Sequence, residues 1–176
     1  MTPPPRWAEL AAHAVVLSTV PSGLWRVALG LGVPVGFSGG LADQFAGPSW
    51  TLTPYVIALS LVAEGLALLT LGLVRPWGER LPGWVPRLGG RRVPTGAAAT
   101  AALLGAVAVT AITVGSALSW SGPDNMGDPD SPQGAAGLVM TACYAPLLAW
   151  GPLLAAVAVA YARRRAAAPS SPAPAR

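Results

Sequence analysis

The central part of the sequence changes abruptly from apolar to basic and back. Two long apolar runs lie on either side of a short basic stretch, RPWGERLPGWVPRLGGRRVP at residues 75–94. This central loop contains five of the eleven arginines and four of the 19 prolines, so it cannot be part of a membrane span. Short loops rich in arginine stay on the cytoplasmic side of a membrane. The central loop therefore predicts two membrane spans that each have a cytoplasmic end beside it.

The composition agrees with a membrane protein. Hydrophobic residues make up 53% of the chain and charged residues only 10%, whereas about a quarter of the residues of soluble proteins are charged. The net charge of +4 comes from arginines beside the apolar runs, where anionic lipid head groups attract them. We therefore expect the bilayer with its anionic lipids as a partner, and no nucleic acid. A second copy of the chain or another membrane protein is a further candidate partner.

Four apolar segments are long enough to cross the hydrocarbon core of a bilayer, which takes about 20 helical residues. They cover residues 7–35, 52–74, 96–118 and 135–162. The loops at 36–51 and 119–134 carry aspartates and no arginine, whereas arginines lie at the other ends of the segments. By the positive-inside rule, the sequence predicts an all-α, integral membrane four-transmembrane-helix bundle with both termini in the cytoplasm.

We expect a single four-helix transmembrane domain over residues 1–165, multi-pass in the cell membrane, and a disordered cytoplasmic tail at 166–176. The alternative for the first segment is a cleaved signal peptide, because Arg6 precedes an apolar run at 10–20. No small-x-small cleavage motif follows, and the apolar run continues to Val35. A retained first span is therefore favoured.

Prolines predict irregularities in two of the four spans. Pro21 lies near the middle of the first span, and Pro146 and Pro152 lie in the fourth. Proline removes a backbone hydrogen bond and clashes with the preceding turn, so we expect a kink or local unwinding at Pro21 and a bent fourth helix. Irregular backbone persists in a membrane only against other protein or water. Both spans should therefore face neighbouring helices.

Two charges inside the apolar segments are candidates for an intramembrane polar pair: Arg26 in the first span and Glu64 at the centre of the second. Either charge alone costs at least about 2.5–3.5 kcal/mol at that depth, so pairing between the two helices would relieve both. Two alternatives stay open. Arg26 extends outward to the interface, or Glu64 is neutral and bonds to Ser60 or to a neighbouring hydroxyl. Thr53, Ser60 and Glu64 would form one polar stripe on a helix.

The third span is rich in small residues. Ala98, Ala102 and Ala106 recur every four residues and share one helix face. Small residues at this spacing let two helix backbones approach closely, which is how membrane helices gain packing energy. We therefore expect the third span to be the central, best-packed helix.

The central loop has two interpretations. Its tryptophans recur with leucines at intervals of three and four residues, which would lay an apolar face on the membrane and place the arginines among head groups. Pro82 and Pro86 exclude one continuous helix, so we expect short turns at the interface. The alternative is a docking site for a cytoplasmic partner. The candidate lipid or partner contacts are Trp77, Arg80, Trp84, Arg87, Arg91 and Arg92.

Three stretches of the chain resemble a group of small four-helix integral membrane proteins of actinobacteria, which are uncharacterised. The stretches are LVRPWGERLPGWVPRLGGRRVP, GLWRVALGLGVPVGF before it, and YAPLLAWGPLLAAVAVAYARRR after it. The similarity covers most of residues 20–165. The resemblance implies a four-helix fold and a membrane location, and it implies no activity, cofactor or site residues.

The sequence offers little material for catalysis. It has one histidine and one cysteine, and no motif of a zinc enzyme, serine hydrolase or nucleotide-binding protein. Asp124, Asp128 and Asp130 do not follow the calcium-loop pattern, so we expect a solvated acidic turn, no metal and no cofactor. We therefore expect no enzyme. A structural or interaction role is favoured, and the alternative is a small-solute or proton/ion transporter or sensor that uses Arg26 and Glu64.

Overall fold

A computed structural model of the chain describes residues 3–79, 90 and 93–167. In this part the protein is entirely helical, which confirms the predicted all-α class. The elements are α1 (Arg6–Gly30), α2 (Gly39–Gln44), α3 (Leu52–Gly72), a 3-10 turn (Pro76–Glu79), α4 (Thr95–Leu118), α5 (Gly134–Tyr144) and α6 (Leu147–Ala166).

Three helical stretches are long and apolar enough to cross a membrane, judged by length and composition. They are Leu52–Gly72, Thr95–Leu118 and Gly134–Ala166, the last combining α5 and α6. α1 is long enough, with 25 residues, but it is more polar because it contains Glu9, His13 and Arg26. The structure thus supports a multi-pass membrane protein with three such helices.

The helices pack antiparallel in the order α3, α1, α6, α4. α1 packs against α3 on one side and α6 on the other, while α4 packs mainly against α6. The prediction that the third span is central is therefore wrong: α4 lies at the edge, and α1 and α6 form the centre. Its small-residue face does pack inward, with Ala106 buried and Ala102 partly buried. The opposite face carries Leu104 and Val107, which are 65% and 68% exposed.

α1 continues without interruption through Pro21 and ends at Gly30 rather than Val35. The local unwinding predicted at Pro21 is therefore absent. Hydroxyls around the proline donate to backbone carbonyls one turn earlier, Ser18 to Val15 at 2.7 Å and Ser22 to Thr19 at 2.9 Å. These bonds satisfy the hydroxyls within α1 itself, as expected where the helix is surrounded by other helices.

The fourth span, predicted as one bent helix, is interrupted at Pro146 and continues without interruption through Pro152. α5 ends at Tyr144 and α6 begins at Leu147, because proline has no N–H to continue the helical ladder. Two bonds keep the chain close to helical across the break, from Ala145 N to the Thr141 carbonyl at 2.8 Å and from Leu148 N to the Ala145 carbonyl at 3.1 Å. Before the break, α5 packs on α1; after the break, α6 packs on both α1 and α4.

Arginines at the end of α6 connect three helices. Arg164 Nη2 donates to the carbonyl of Leu73 at 2.9 Å, just after α3, and Arg165 Nε donates to Thr95 Oγ1 at 3.2 Å, where α4 begins. The last carbonyls of a helix lack partners within the helix, so a cation is favourable there. The start of α4 and the ends of α3 and α6 therefore meet at one end of the protein.

The loops at the opposite end also contact each other. Asp130 accepts hydrogen bonds from Ser38 N through its carbonyl and from Gly40 N through Oδ2, both at 2.9 Å. Gly39 lies between these two donors with a φ of +50°, which glycine adopts without a steric penalty. The acidic loop is thus fastened to the first turn of α2, and Asp130 is not simply a solvated carboxylate.

α4 and α6 approach each other closely at Gly151, and this contact generates a testable prediction. A Cβ atom at Gly151 would overlap Thr110 Oγ1 and lie 2.9 Å from the Ala106 carbonyl oxygen. We expect Gly151→Ala to lower the melting temperature in detergent, because overpacking costs about 1–3 kcal/mol. Gly115→Ala is the matched control, since a Cβ there meets nothing within 4 Å. Equal melting temperatures for the two variants would contradict the close contact.

Candidate functional site

The polar stripe predicted on α3 faces α1. At the start of α3, Thr53 Oγ1 donates to the carbonyl of Gly30 at 2.6 Å. Further along, Arg26 Nε donates to Ser60 Oγ at 3.2 Å, and the Ser60 hydroxyl, which is buried, donates to the Val56 carbonyl at 2.8 Å. Ser60 therefore connects the charge on α1 to the backbone of α3.

Glu64 continues the same stripe and is also bonded to α1. The Thr19 hydroxyl lies 2.9 Å from Glu64 Oε2 and 2.8 Å from the carbonyl of Val16, so two acceptors compete for its single proton. Thr19 is fully buried. Gly23 leaves room for the carboxyl group, since a Cβ there would lie 3.3 Å from Glu64 Oε1. The carboxyl group is thus enclosed by one hydroxyl and one glycine of α1.

The predicted pair of Arg26 and Glu64 is brought to the same helix interface, but not into a direct salt bridge. Among residues 3–79 and 93–167 each charge bonds to a hydroxyl of the opposite helix instead. The reason is the antiparallel register. Arg26 lies opposite Ser60, and Glu64 is one turn further along α3, about 6 Å at 1.5 Å per residue. The alternative in which Glu64 bonds to a neighbouring hydroxyl is closer to what is observed, with Thr19 in place of Ser60.

Arg26 also contacts an aromatic cluster at the end of α5. Its guanidinium carbon lies 5.9 Å from the centre of the Tyr144 ring, within the range of a cation–π contact. Trp25 and Trp120 hold that ring, with centroid distances of 5.6 and 5.7 Å. The guanidinium is thus fixed between Ser60 on one side and Tyr144 on the other.

A cavity of about 600 Å³ opens beside this cluster, between α4 and α5. It exists because α5 packs on α1 whereas α4 follows α6, so the two helices diverge beyond the break at Pro146. Its volume lies within the usual range of small-molecule sites. Polar side chains in its wall are Arg26, Thr113, Ser116, Ser121, Asn125, Thr141 and Tyr144.

The chemistry of the cavity wall favours binding rather than catalysis. Arg26 is the one charged residue among the described lining residues, and no histidine, cysteine, aspartate or glutamate is among them. A guanidinium with neighbouring hydroxyls can bind an anion, but it lacks a nucleophile with a base beside it. In the described part of the chain, no group of three or more His, Cys, Asp and Glu residues is placed to hold a metal ion.

Most of the predicted contacts of the central loop lie outside the described residues. This applies to Arg80, Trp84, Arg87, Arg91 and Arg92. Trp77 is described: it is 53% exposed, and its ring packs near the end of α3, where a Cβ at Gly72 would lie 3.1 Å from it. A lipid or partner contact at the loop stays a prediction.

The sequence analysis missed two residues of the site, Thr19 and Tyr144. Thr19, Gly23 and Arg26 recur at intervals of four and three, so they share one face of α1. That face could have been matched to the polar stripe on α3. Tyr144 had no comparable signal, because its contact with Arg26 depends on how α5 packs against α1.

Comparisons with known proteins add no relative. No family model matches the chain, and neither a curated protein nor a solved structure matches it. The resemblance to actinobacterial four-helix proteins therefore stays a prediction.

The bond between Thr19 and Glu64 can be tested by a double-mutant cycle. Thr19→Val keeps the shape of the side chain and leaves the carboxyl group without its partner, so we expect a loss of about 1–3 kcal/mol of unfolding free energy. Thr19→Ser should lose much less, because it retains the hydroxyl. In reversible denaturation in detergent, the effects of Thr19→Val and Glu64→Gln should be non-additive. Strict additivity would show that the two side chains do not interact.

Proposed function

We propose that this chain is a four-span integral membrane protein with a structural or interaction role, in which α1 crosses the membrane in addition to the three apolar helical stretches. Its 25 residues extend about 37 Å at 1.5 Å per residue, enough to cross the hydrocarbon core. α1 is more polar than the other spans, but it lies between α3 and α6. Protein therefore surrounds much of its polar surface, and Ser18, Thr19 and Ser22 are buried. A helix enclosed in this way need not be apolar on every face.

The orientation follows from the distribution of charge. The end of the protein where α3 and α6 finish and α4 begins carries the arginines at 163–165. The opposite end carries Asp43, Asp124, Asp128 and Asp130. By the positive-inside rule the basic end, with both termini and the central loop, is cytoplasmic. The cell membrane is the location that we propose.

The observation that carries the structural role is the set of bonds between α1 and α3. Arg26 and Glu64 each bond to a hydroxyl of the opposite helix, one turn apart. Sliding or rotating either helix would break both bonds and leave two half-buried charges without their hydroxyl partners. The two charges therefore fix the register between α1 and α3. The exposed apolar face of α4 and the central loop are the surfaces that we propose for a second copy, another membrane protein or anionic lipids.

Single cysteines test the orientation. In a Cys143→Ala background, we expect Ser38→Cys and Asp124→Cys to react with an impermeant thiol reagent in intact cells, because both positions are exposed in the outer loops. Ala167→Cys, exposed after α6, should react only after the cells are permeabilised. Labelling of position 167 alone in intact cells would show the reverse orientation. Labelling of 38 and 167 on the same side as each other would exclude four spans.

Transport or sensing of a small solute is the second candidate function. The specific observation in its favour is the broken fourth span next to a cavity that contains Arg26. Discontinuous helices that line a cavity are the usual place for substrate and ion sites in transporters.

Proton flux distinguishes the two roles. The assay uses proteoliposomes that contain the wild-type protein and an internal pH-sensitive dye. If the two charges only fix the register between α1 and α3, these proteoliposomes should equilibrate an imposed pH gradient no faster than protein-free liposomes. Glu64→Gln should then change only the unfolding temperature. A proton flux through the wild-type protein that Glu64→Gln abolishes, with the variant still folded, would favour proton transport and contradict a purely structural role.

A further inference from the structure

We propose that the cavity between α4 and α5 binds an amphipathic oxyanion, a molecule with an apolar body and one carboxylate or phosphate group, through the guanidinium of Arg26. This inference names the class of ligand for the second candidate function, transport or sensing of a small solute, and it rests on that proposed function. It is tested by binding alone, so its failure can be distinguished from the failure of transport.

The first argument is the state of Arg26. The guanidinium has five N–H donors; the one on Nε bonds to Ser60, and the group also interacts with the Tyr144 side chain. No carboxylate in residues 3–79 and 93–167 pairs with the group, although Glu64 lies one turn away on α3. The residue is half-buried and lines the cavity. A half-buried cation is stabilised most by an anion, which supplies both the opposite charge and hydrogen-bond acceptors.

The second argument is the fixed direction of the guanidinium. Ser60 holds Nε, and the Tyr144 ring supports the guanidinium at 5.9 Å. Tyr144 is in turn held by Trp25 and Trp120. A planar fork restrained in this way is preorganised for the two oxygens of a carboxylate or phosphate, and less entropy is lost when they bind.

The third argument is the remainder of the cavity wall, which fits an apolar body. Ile112, Met140, Leu147 and Leu148 line the cavity together with Trp120. An inorganic anion would leave most of the 600 Å³ unfilled and these side chains uncovered. Burial of a hydrocarbon body against them adds roughly 25 cal/mol for each Å² of apolar surface. The combination of one cation and apolar walls therefore selects an amphipathic anion.

Two sources can supply such a molecule. Ile112 lines the cavity and is 67% exposed, and Ser116 one turn further is also exposed. The cavity is thus open beside the outer half of α4. In a bilayer this opening would admit an anionic phospholipid from the side, and the loop end would admit a free organic acid.

The test uses the full-length protein in nanodiscs made of phosphatidylcholine, with sodium octanoate as the probe in isothermal titration calorimetry. We expect the wild-type protein to bind octanoate and Arg26→Gln to bind it roughly tenfold or more weakly, because a charge-assisted, bidentate contact is lost. Octanol, which has the same body without the charge, should bind as weakly to the wild-type protein as octanoate does to the variant.

Two further variants separate binding from folding. Ser116→Trp keeps Arg26 and fills the cavity from its rim, so it should also abolish binding. Arg75→Gln removes an exposed arginine outside the cavity and should bind octanoate like the wild type. Equal binding to the wild type and to Ser116→Trp, or equal binding of octanol and octanoate, would overturn the proposal.

The lipid composition distinguishes the sources. If the natural ligand is an anionic phospholipid, phosphatidylglycerol in the nanodiscs should suppress octanoate binding to the wild-type protein. If it is a free acid, phosphatidylglycerol should leave octanoate binding unchanged. Either result supports an oxyanion site. If the wild type does not bind octanoate in phosphatidylcholine and does not retain phosphatidylglycerol in native mass spectrometry, the proposal is wrong.

Discussion

The arrangement depends on the need to satisfy the polar groups of α1 inside the protein. α1 lies between α3 and α6, where water cannot replace a missing hydrogen bond. Its hydroxyls donate to carbonyls of its own helix, and Arg26 and Glu64 receive partners across the interface with α3. These bonds fix the depth of α3 against α1, and the apolar side chains of α3 then fall on the opposite, exposed face. Three buried polar atoms, Thr70 Oγ1, Trp150 Nε1 and Tyr161 OH, have no partner among the described residues.

The same helix also determines where the cavity forms. Trp25, which is 7% exposed, contacts the ring of Tyr144 and so draws the end of α5 onto α1. α4 does not move toward α1 with α5, because α4 is held on α6. There the missing side chain of Gly151 lets Thr110 and the Ala106 backbone of α4 pack against α6. Pro146 makes the divergence possible by interrupting the ladder between α5 and α6. One aromatic contact, one glycine and one proline therefore create the 600 Å³ cavity.

The features that the sequence could predict are those with local causes. The lengths of the second and third apolar runs reproduce α3 and α4 to within two residues, because a helix in lipid ends where its apolar run ends. The small-residue pattern correctly identified the packing face of α4 but not the number of its neighbours, since a pattern on one helix does not specify how many partners it meets. The relative depth of Arg26 and Glu64 required the register between α1 and α3, which no single helix encodes. The cavity could not be predicted from the sequence for the same reason, because it depends on the divergence of two helices.

The positions of the two charges separate the candidate roles physically. Glu64 belongs to the interface of α1 and α3 alone, whereas Arg26 belongs to that interface through Ser60 and to the cavity through its remaining donors. Below the cavity the interior is filled by the core side chains of Val15, Ala106, Trp150 and Leu154, which are at most 9% exposed. The described lining of the cavity includes none of these core residues and none of the arginines at the end of α6. A ligand on Arg26 would bind beside the bond that holds Nε on Ser60, so the same residue would connect the ligand to the interface of α1 and α3. That geometry favours binding over conduction through a continuous path.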